Sequence, residues 1–246
     1  MEDDSEQIFT IITYNIDSQS SFQEERISSF IEQVLEWKPD IITIQEVSRG
    51  LLSKLFVTMK KMGYSKVLLN EIQRKDVAEI TFSKFPILKA EYMPFDMTDQ
   101  KRGASLYLLN IFDNKIWVCN VQLEGGSSRS PKIRNQIEHL GKKFSKEREV
   151  LIGGDFQIAS YQKDIKEPEG WLDVWYEVGN PAEQYTMDSK INLNAKFQDR
   201  PDRIWFKTSG KLECEECHLV GIPKSEGTHL ASNHFGLWAK FKVNKN

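Results

Sequence analysis

The chain has 246 residues, of which 39% are hydrophobic and 11% aromatic, a composition that supports a buried core and excludes a disordered chain. Its formal net charge of −3 excludes an overall basic field for nucleic acid, but it leaves room for local basic patches. No apolar run has membrane-spanning length, and the first seven residues are acidic and polar rather than a signal peptide. We therefore expect an intracellular protein, nuclear or cytoplasmic, with no membrane partner.

The first third of the chain alternates between strand and helix patterns. Residues 8–15 and 40–46 predict strands, because they are rich in Ile and Thr. A capping box beginning at Ser21 precedes the first helix, which Pro39 stops, and Gly63 closes the second. The apolar positions that recur at helical spacing are Ile27, Phe30, Ile31, Val34 and Leu35 in the first helix and Leu51, Leu52, Leu55, Phe56 and Met59 in the second.

The remainder is richer in strands. Asp113-Asn114 predicts a hairpin turn, and Ser130-Pro131 opens a helix that presents several lysines and arginines on its polar face. Residues 156–200 are predicted to be irregular. The predicted strands are Ala78–Phe82, Ile87–Met93, Ser105–Phe112, Ile116–Leu123, Val150–Ile152, Ile204–Phe206, Leu219–Ile222 and Phe235–Phe241. Strands at both ends with helices between them predict an α/β (α+β) fold, a four-layer α-β-β-α sandwich of two mixed or antiparallel sheets. We assign residues 8–246 to one domain and residues 1–7 to a short acidic tail.

The three cysteines do not form a disulfide framework. Cys214 and Cys217 are a close pair, and Cys119 stands alone, which fits a reducing compartment. The segment from Cys214 to His218 has the spacing of half a zinc site, but no second cysteine pair exists, so we predict a polar turn without a metal.

One short segment joins a predicted buried strand to a candidate catalytic carboxylate. The apolar residues 150–152 lead into Gly153-Gly154-Asp155, where two glycines are expected to turn the backbone tightly and allow close approach to a ligand. Asp155 is then a candidate general base or metal ligand, although Gly-Gly-Asp alone is more often only a turn. Asn15, Glu46 and His234 also lie at predicted strand ends. Four polar side chains at strand ends predict one site at an edge of the sheet core.

Six motifs occur in an order that resembles the endonuclease/exonuclease/phosphatase family of deoxyribonuclease I. They are Thr13-Tyr14-Asn15-Ile16-Asp17, Gln45-Glu46-Val47, Ser83-Lys84-Phe85-Pro86-Ile87, Gly153-Gly154-Asp155, Asp202-Arg203-Ile204 and Ser232-Asn233-His234-Phe235-Gly236. Within that family the chain is most similar to the 5′-tyrosyl-DNA phosphodiesterases. Segments that carry this likeness include Val121-Gln122-Leu123-Glu124, Leu172-Asp173-Val174-Trp175 and Tyr185-Thr186-Met187-Asp188.

The resemblance implies a reaction and a role for each matching residue. Glu46 would hold Mg²⁺, or Mn²⁺ in its place, together with Asn15 and Asn233, and Asn15 would also orient the metal's waters or the phosphate. Asp155 would take a proton from the attacking water, and His234, oriented by Asp202, would donate to the phosphoryl oxygens. The implied substrate is the 5′ end of a nucleic acid, DNA or RNA and single-stranded, that carries a phosphotyrosyl adduct. The implied protein is a monomer that acts in DNA repair.

Four residues of the implied site depart from the family pattern: Gln157 among the catalytic residues, Asn233 among the metal ligands, and Gln122 and Met187 among the substrate contacts. Gln157 stands where the family has Asn, Gln122 where it has His, Asn233 where it has Asp, and Met187 where it has an aromatic residue. The other implied substrate contacts are Glu124, Arg102 and Tyr185. His229 is predicted to lie in a loop, where phosphate contact is the less favoured role.

Two function classes follow. The first is a divergent Mg²⁺-dependent phosphodiesterase, favoured because Glu46, Asp155, Asp202 and His234 are all present. The second is a catalytically weak or inactive relative that binds nucleic acid or protein, favoured by the amides at three site positions. A phosphatase of inositol phosphates or a sphingomyelinase relative is a third, and it would need a dense basic pocket or apolar loops that the sequence does not clearly contain.

Overall fold

Two six-stranded sheets pack face to face in a computed structural model that describes residues 6–17, 23–67, 77–126, 129–223 and 230–245. The strands are β1 (Ile8–Asn15), β2 (Ile41–Ser48), β3 (Ser65–Val67), β4 (Val77–Ser83), β5 (Ile87–Pro94), β6 (Gly103–Ile111), β7 (Asn114–Gln122), β8 (Val150–Asp155), β9 (Leu172–Asp173), β10 (Asp202–Lys207), β11 (Leu212–Val220) and β12 (Gly236–Val243). The helices are α1 (Gln23–Trp37), α2 (Leu52–Lys61), α3 (Arg129–Lys143) and α4 (Val174–Val178), and short 3₁₀ turns cover Arg49–Leu51 and Pro181–Glu183.

Both sheets are mixed. The first has the strand order β11-β12-β1-β2-β4-β3, and the second has the order β5-β6-β7-β8-β10-β9. β1 pairs with β2, and β7 with β8, in parallel, and the other pairs are antiparallel. The two parallel pairs bring the carboxyl ends of β1, β2, β7 and β8 to corresponding edges, which is where ligand-binding residues collect in such sheets.

Successive side chains along a strand point to opposite faces of its sheet and therefore pack into different layers. In β1, Ile11 faces the second sheet, whereas Ile12 packs under α1 together with Phe30. On the other side, Ile133 of α3 packs against the outer face of β7 and β8, near Ile152. The helices α1 and α2 therefore cover one sheet and α3 covers the other, which confirms the predicted four-layer sandwich.

The layer between the sheets becomes polar towards the edge that holds the predicted site. Gln45 donates to Thr13 Oγ1 at 3.2 Å and to Asn120 Oδ1 at 2.8 Å. Asn120, on β7, donates in turn to the backbone oxygens of Ile44 at 3.1 Å and Ile80 at 2.9 Å. These bonds tie the two sheets together because buried polar groups need partners.

The predicted double-glycine turn is wrong. Gly153 and Gly154 both lie inside β8, and packing rather than a turn explains them. A Cβ on Gly154 would lie 2.0 Å from the backbone oxygen of Val121, and one on Gly153 would lie 2.7 Å from Thr43 Oγ1. Only glycine lets β7 and the opposite sheet come this close.

Three further predictions differ in part from the structure. They concern a polar strand that was predicted as a turn, an exposed leucine that was predicted as buried, and the position of one hairpin. Cys214 and Cys217 lie in the edge strand β11, not in a turn, and no cluster of three potential metal ligands occurs among the described residues. Leu35 is 55% exposed, so it is not on the buried face of α1. The hairpin between β6 and β7 is confirmed one residue earlier, with positive φ at Phe112 and Asp113.

Three predictions fall on residues that lie outside the described ranges: the capping residue Ser21, the loop position of His229 and most of the acidic tail. Over the described ranges, no helix combines the length and the apolar character required to cross a lipid bilayer.

Candidate active site

Two buried carboxylates face each other at the ends of β8 and β10. Asp155 and Asp202 are partners in the antiparallel register of these strands. Asp202 Oδ2 lies 2.7 Å from His234 Nδ1 and accepts a second hydrogen bond of 2.7 Å from Thr186 Oγ1. The imidazole is thus held through Nδ1, which leaves Nε2 as its other hydrogen-bonding atom.

The surroundings of His234 favour the protonated form of its imidazole. Burial lowers the pKa of its imidazole, but the charge and the hydrogen bond of Asp202, with Asp155 and Glu46 adding to them, outweigh burial and raise that pKa to about 9. Burial is also the main cause that raises the pKa of the Asp202 carboxyl group. The site therefore favours a protonated imidazole beside the Asp202 carboxylate.

Asp155 accepts hydrogen bonds from several directions. Asn15 Nδ2 donates to Asp155 Oδ2 at 3.0 Å, and the backbone N–H of Gln157 donates to Oδ1 at 3.1 Å. The side-chain amide of Gln157 also donates to Oδ2. Asn15 Oδ1 accepts from the backbone N–H of Asp17 at 2.9 Å, which fixes the Asn15 amide with its nitrogen towards Asp155.

Glu46 reaches the site from the first sheet through a β-bulge. The β2–β4 register shifts between Ile44 and Val47, and Glu46 has a φ of 56°. Because of the extra residue, Gln45 and Glu46 both turn towards the second sheet, where each contacts a residue of β7. A left-handed backbone at a non-glycine residue is uncommon and is typical of functional sites.

Gln122 lies between the two sheets and joins the acidic groups. Its Nε2 donates to Glu46 Oε1 and to Asp155 Oδ2, the second bond at 3.4 Å. Its Oε1 accepts from Arg102 Nη1. Arg102 is itself buried, and Gln100 Oε1 accepts from its Nε at 3.0 Å and its Nη2 at 2.8 Å.

The other predicted substrate residues have structural partners of their own. Glu124 is buried, and its carboxylate accepts from Thr98 Oγ1 at 2.7 Å and from the backbone N–H of Asp99 at 3.0 Å, so it secures the loop before β6. Met187 is buried and forms an isolated bridge with Asp199.

Tyr185 is partly exposed immediately before Thr186, and Asn233 Oδ1 accepts from Ser232 Oγ at 3.2 Å. Substrate contact by Tyr185 and metal binding by Asn233 stay predictions, as do the substrate roles of Glu124 and Met187.

Sequence reasoning missed four residues that build the site: Gln45, Gln100, Asn120 and Thr186. Gln45 and Asn120 interrupt apolar strands and are completely buried, and a polar residue inside an apolar run is the signal that could have found them. Thr186 lies in the segment Tyr185-Thr186-Met187-Asp188, in which only Tyr185 and Met187 are predicted from the sequence to contact substrate. Gln100 is exposed and has no sequence signal.

Comparison with known proteins identifies the architecture. No protein-family model matches the chain, and no curated protein matches it by sequence. Among solved structures, TDP2 of D. rerio complexed with single-strand DNA product has a TM-score of 0.85 at 19% identity, covering 97% of this chain and 99% of that one. Truncated TDP2 of Caenorhabditis elegans has a TM-score of 0.81 at 19% identity, covering 96% and 98%.

A more distant match has the same layout. The endonuclease/exonuclease/phosphatase of Bacteroides vulgatus has a TM-score of 0.77 at 16% identity, covering 96% of this chain and 99% of that one. Each match spans nearly the whole of both chains. This chain therefore has the endonuclease/exonuclease/phosphatase fold, as a divergent example that resembles TDP2.

Proposed function

We propose that this protein is a Mg²⁺-dependent phosphodiesterase that hydrolyses 5′-phosphotyrosyl links between protein and DNA or RNA. One observation carries the proposal: hydrogen bonds connect Glu46, Asp155 and Asn15 across both sheets, and the Asp202–His234 pair lies beside them. A carboxylate for a metal, a second for a proton and a cationic donor are what attack on an anionic phosphodiester requires.

The residues fit a lightly held divalent ion. Mg²⁺ in phosphate sites is typically bound by one or two carboxylates, with water and substrate oxygens completing the octahedron. Glu46 supplies one partly exposed carboxylate on a bulge that directs it towards Asp155 and Gln122. Asn15 and Asn233 supply amide oxygens that each already accept one bond and have a second lone pair. When bound, the ion would act as a Lewis acid on a phosphate oxygen.

Asp155 accepts the proton of the attacking water. Its carboxylate is held by Asn15 and by the backbone of Gln157, so its orientation is fixed before substrate binds. His234 donates from Nε2 to the phosphoryl oxygen, because its Nδ1 is engaged by Asp202. A tyrosine leaving group has a pKa of about 10 and needs little help from a separate general acid.

The substrate class comes from similarity. TDP2 of D. rerio has been solved with a single-strand DNA product, and it shares the fold of this chain across almost its full length. A single-stranded 5′ end bearing tyrosine is the substrate we propose here too.

Hydrolysis of a 5′-phosphotyrosyl single-stranded oligonucleotide with Mg²⁺ tests the proposal. We expect turnover that requires the metal and that Asp155→Asn lowers by at least about a hundredfold. Glu32→Gln, a similar loss of one carboxylate charge on an exposed site of α1, should leave the rate unchanged. Equal rates for wild type and Asp155→Asn would contradict the proposed base.

The second candidate is a binding module without turnover, and the position of Gln122 favours it. The side-chain amide of Gln122 donates hydrogen bonds to the carboxylates of both Glu46 and Asp155. If the wild type binds the oligonucleotide but does not cleave it, and Gln122→His, Gln157→Asn and Asn233→Asp together produce cleavage, the natural protein is a binding module.

A further inference from the structure

Both the nitrogen and the oxygen of the Gln122 side-chain amide form hydrogen bonds within the site. Its Nε2 donates to Glu46 and to Asp155, and its Oε1 accepts from Arg102 Nη1. The side chain is completely buried, so water does not compete for these bonds. An amide can turn over and exchange its oxygen and nitrogen, so a neighbouring group must decide which end faces the carboxylates.

Arg102 is that group. A guanidinium donates hydrogen bonds and cannot accept them, so the Gln122 oxygen must face Arg102 and the nitrogen must face Glu46 and Asp155. Arg102 is only 5% exposed, and one oxygen of Gln100 accepts from both Nε and Nη2 of its guanidinium. The same Gln100 oxygen accepts from the backbone N–H of Gly125 at 3.3 Å, which links it to the segment that follows β7.

We infer that Arg102, held by Gln100, is a positioning residue that fixes the Gln122 amide and thereby limits how strongly Glu46 binds a divalent cation. The inference rests on the proposed function, since it concerns the cation at Glu46. A hydrogen bond donated to Glu46 draws electron density from the carboxylate and competes with the cation for its oxygen. Without Arg102 the amide can turn, and an oxygen then faces the cation instead of an N–H.

Mn²⁺ binding to the substrate-free protein, measured by calorimetry, tests this without any turnover. Arg102→Met removes the guanidinium and should tighten Mn²⁺ binding about tenfold, the effect of releasing one hydrogen bond to a charged group. Because Arg102→Met also removes a positive charge, it needs a control variant with the same net charge. Gln100→Glu changes the net charge by the same amount, lies in contact with the same guanidinium and leaves Arg102 bonded to Gln122. It should change the dissociation constant less than twofold.

A double-mutant cycle separates the amide from other effects of Arg102. In a Gln122→Met background no amide remains to turn, so Arg102→Met should no longer alter Mn²⁺ binding. Equal tightening by Arg102→Met and Gln100→Glu would reduce the effect to charge and overturn the inference. Persistence of the Arg102→Met effect in the Gln122→Met background would overturn it as well.

A second measurement keeps the inference separate from the proposed metal. The side-chain amide signals of Gln122, identified in ¹⁵N spectra by their loss in Gln122→Met, should exchange slowly with solvent in wild type and faster in Arg102→Met. A wild type that binds no Mn²⁺ would contradict the proposed function. Unchanged amide exchange in a folded Arg102→Met protein would instead contradict the positioning role.

Discussion

A left-handed glutamine follows the proposed base by two positions. Gln157 has a φ of 54°, and its backbone and side-chain N–H groups both bond to Asp155. Each donated bond occupies a lone pair of the carboxylate that the attacking water would otherwise use. The length of this side chain therefore affects how the Asp155 carboxylate is held.

We predict that Gln157→Asn raises kcat on the phosphotyrosyl oligonucleotide by about tenfold, within the range by which small displacements at a site alter rates. Asparagine adopts positive φ more readily than glutamine, and its shorter amide releases one bond from Asp155. Steady-state rates at saturating Mg²⁺ measure the effect. Gln33→Asn on α1 is the matched control and should leave kcat unchanged. A lower kcat in Gln157→Asn would show that the amide is needed where it now lies.

At the scale of elements, one buried carboxylate fastens α4 to β10. Asp173 accepts two bonds from Arg200 Nη1 at 2.9 and 3.0 Å, one from Arg203 Nη1 at 3.1 Å and one from Trp205 Nε1 at 3.1 Å. It also caps α4 by accepting from the backbone N–H of Trp175 at 2.9 Å. Burial alone would raise the pKa of Asp173, but the charges of Arg200 and Arg203 outweigh it and lower that pKa.

We predict that Asp173→Asn lowers the free energy of unfolding by about 3 kcal/mol at pH 7, because two buried guanidinium groups lose their counter-charge. A carboxyl group whose pKa is lowered by folding stabilises the fold fully above its ordinary pKa of about 4, and this contribution is lost as pH falls through the lowered pKa. The difference between wild type and variant should therefore shrink in acid. Urea unfolding at pH 7 and at about pH 3 measures it.

The control for this prediction is Asp164→Asn, which breaks an exposed ion pair with Arg134. Such pairs contribute little, so the variant should lie within about 0.5 kcal/mol of wild type at both pH values. If the loss at pH 7 is as small for Asp173→Asn as for Asp164→Asn, the cluster does not hold α4 in place.

The elements that the sequence predicted well are those with a continuous apolar pattern. β1, β2 and β8 are buried on both faces and therefore have long apolar runs, and α1 and α3 show helical spacing. The edge strand β11 was missed at its polar start, because an edge strand exposes alternate residues to water.

Proximity within the site was predictable, but its internal connections were not. Asn15, Glu46 and Asp155 lie in or at the ends of recognisable strands and His234 lies just before one, so their meeting at one edge could be inferred. The contact between Arg102 and Gln122 depends on the pairing of β6 with β7 and on the turn of an amide, which are properties of tertiary structure. Equally, a glycine needed for packing cannot be told from a glycine needed for a turn until its neighbours are known.

At the scale of the whole molecule, the close approach of the two sheets depends on a missing side chain. Gly153 in the second sheet lies against Thr13 and Thr43 of the first, and a Cβ there would lie 2.7 Å from Thr43 Oγ1. Asn120 and Gln45 form their hydrogen bonds across this same layer. The separation that suits those bonds leaves no room for a methyl group.

We predict that Gly153→Ala destabilises the protein by about 2 kcal/mol, since an added methyl group must displace a threonine or part the sheets. It should also slow catalysis, because Glu46 and Asp155 approach the site from opposite sheets. Thermal unfolding and kcat measure the two effects. Gly50→Ala is the control, because its Cβ would meet only Ser48 Oγ at 3.8 Å. Wild-type stability in Gly153→Ala would mean that the sheets separate without cost.

The bulge in β2 sets the phase of the strand. Ile44 and Val47 both pack under the helices although three positions separate them, and this is geometrically permitted only because one residue in between is surplus to the pairing. If the chain were shortened by one position there, Ile44 and Val47 would still share a face by ordinary alternation, but the bulge would be lost and only one of Gln45 and Glu46 would still face the second sheet. Evolution can consequently exchange residue types in this segment far more freely than it can alter their number, and length variation among related sequences should be absent between Ile44 and Val47.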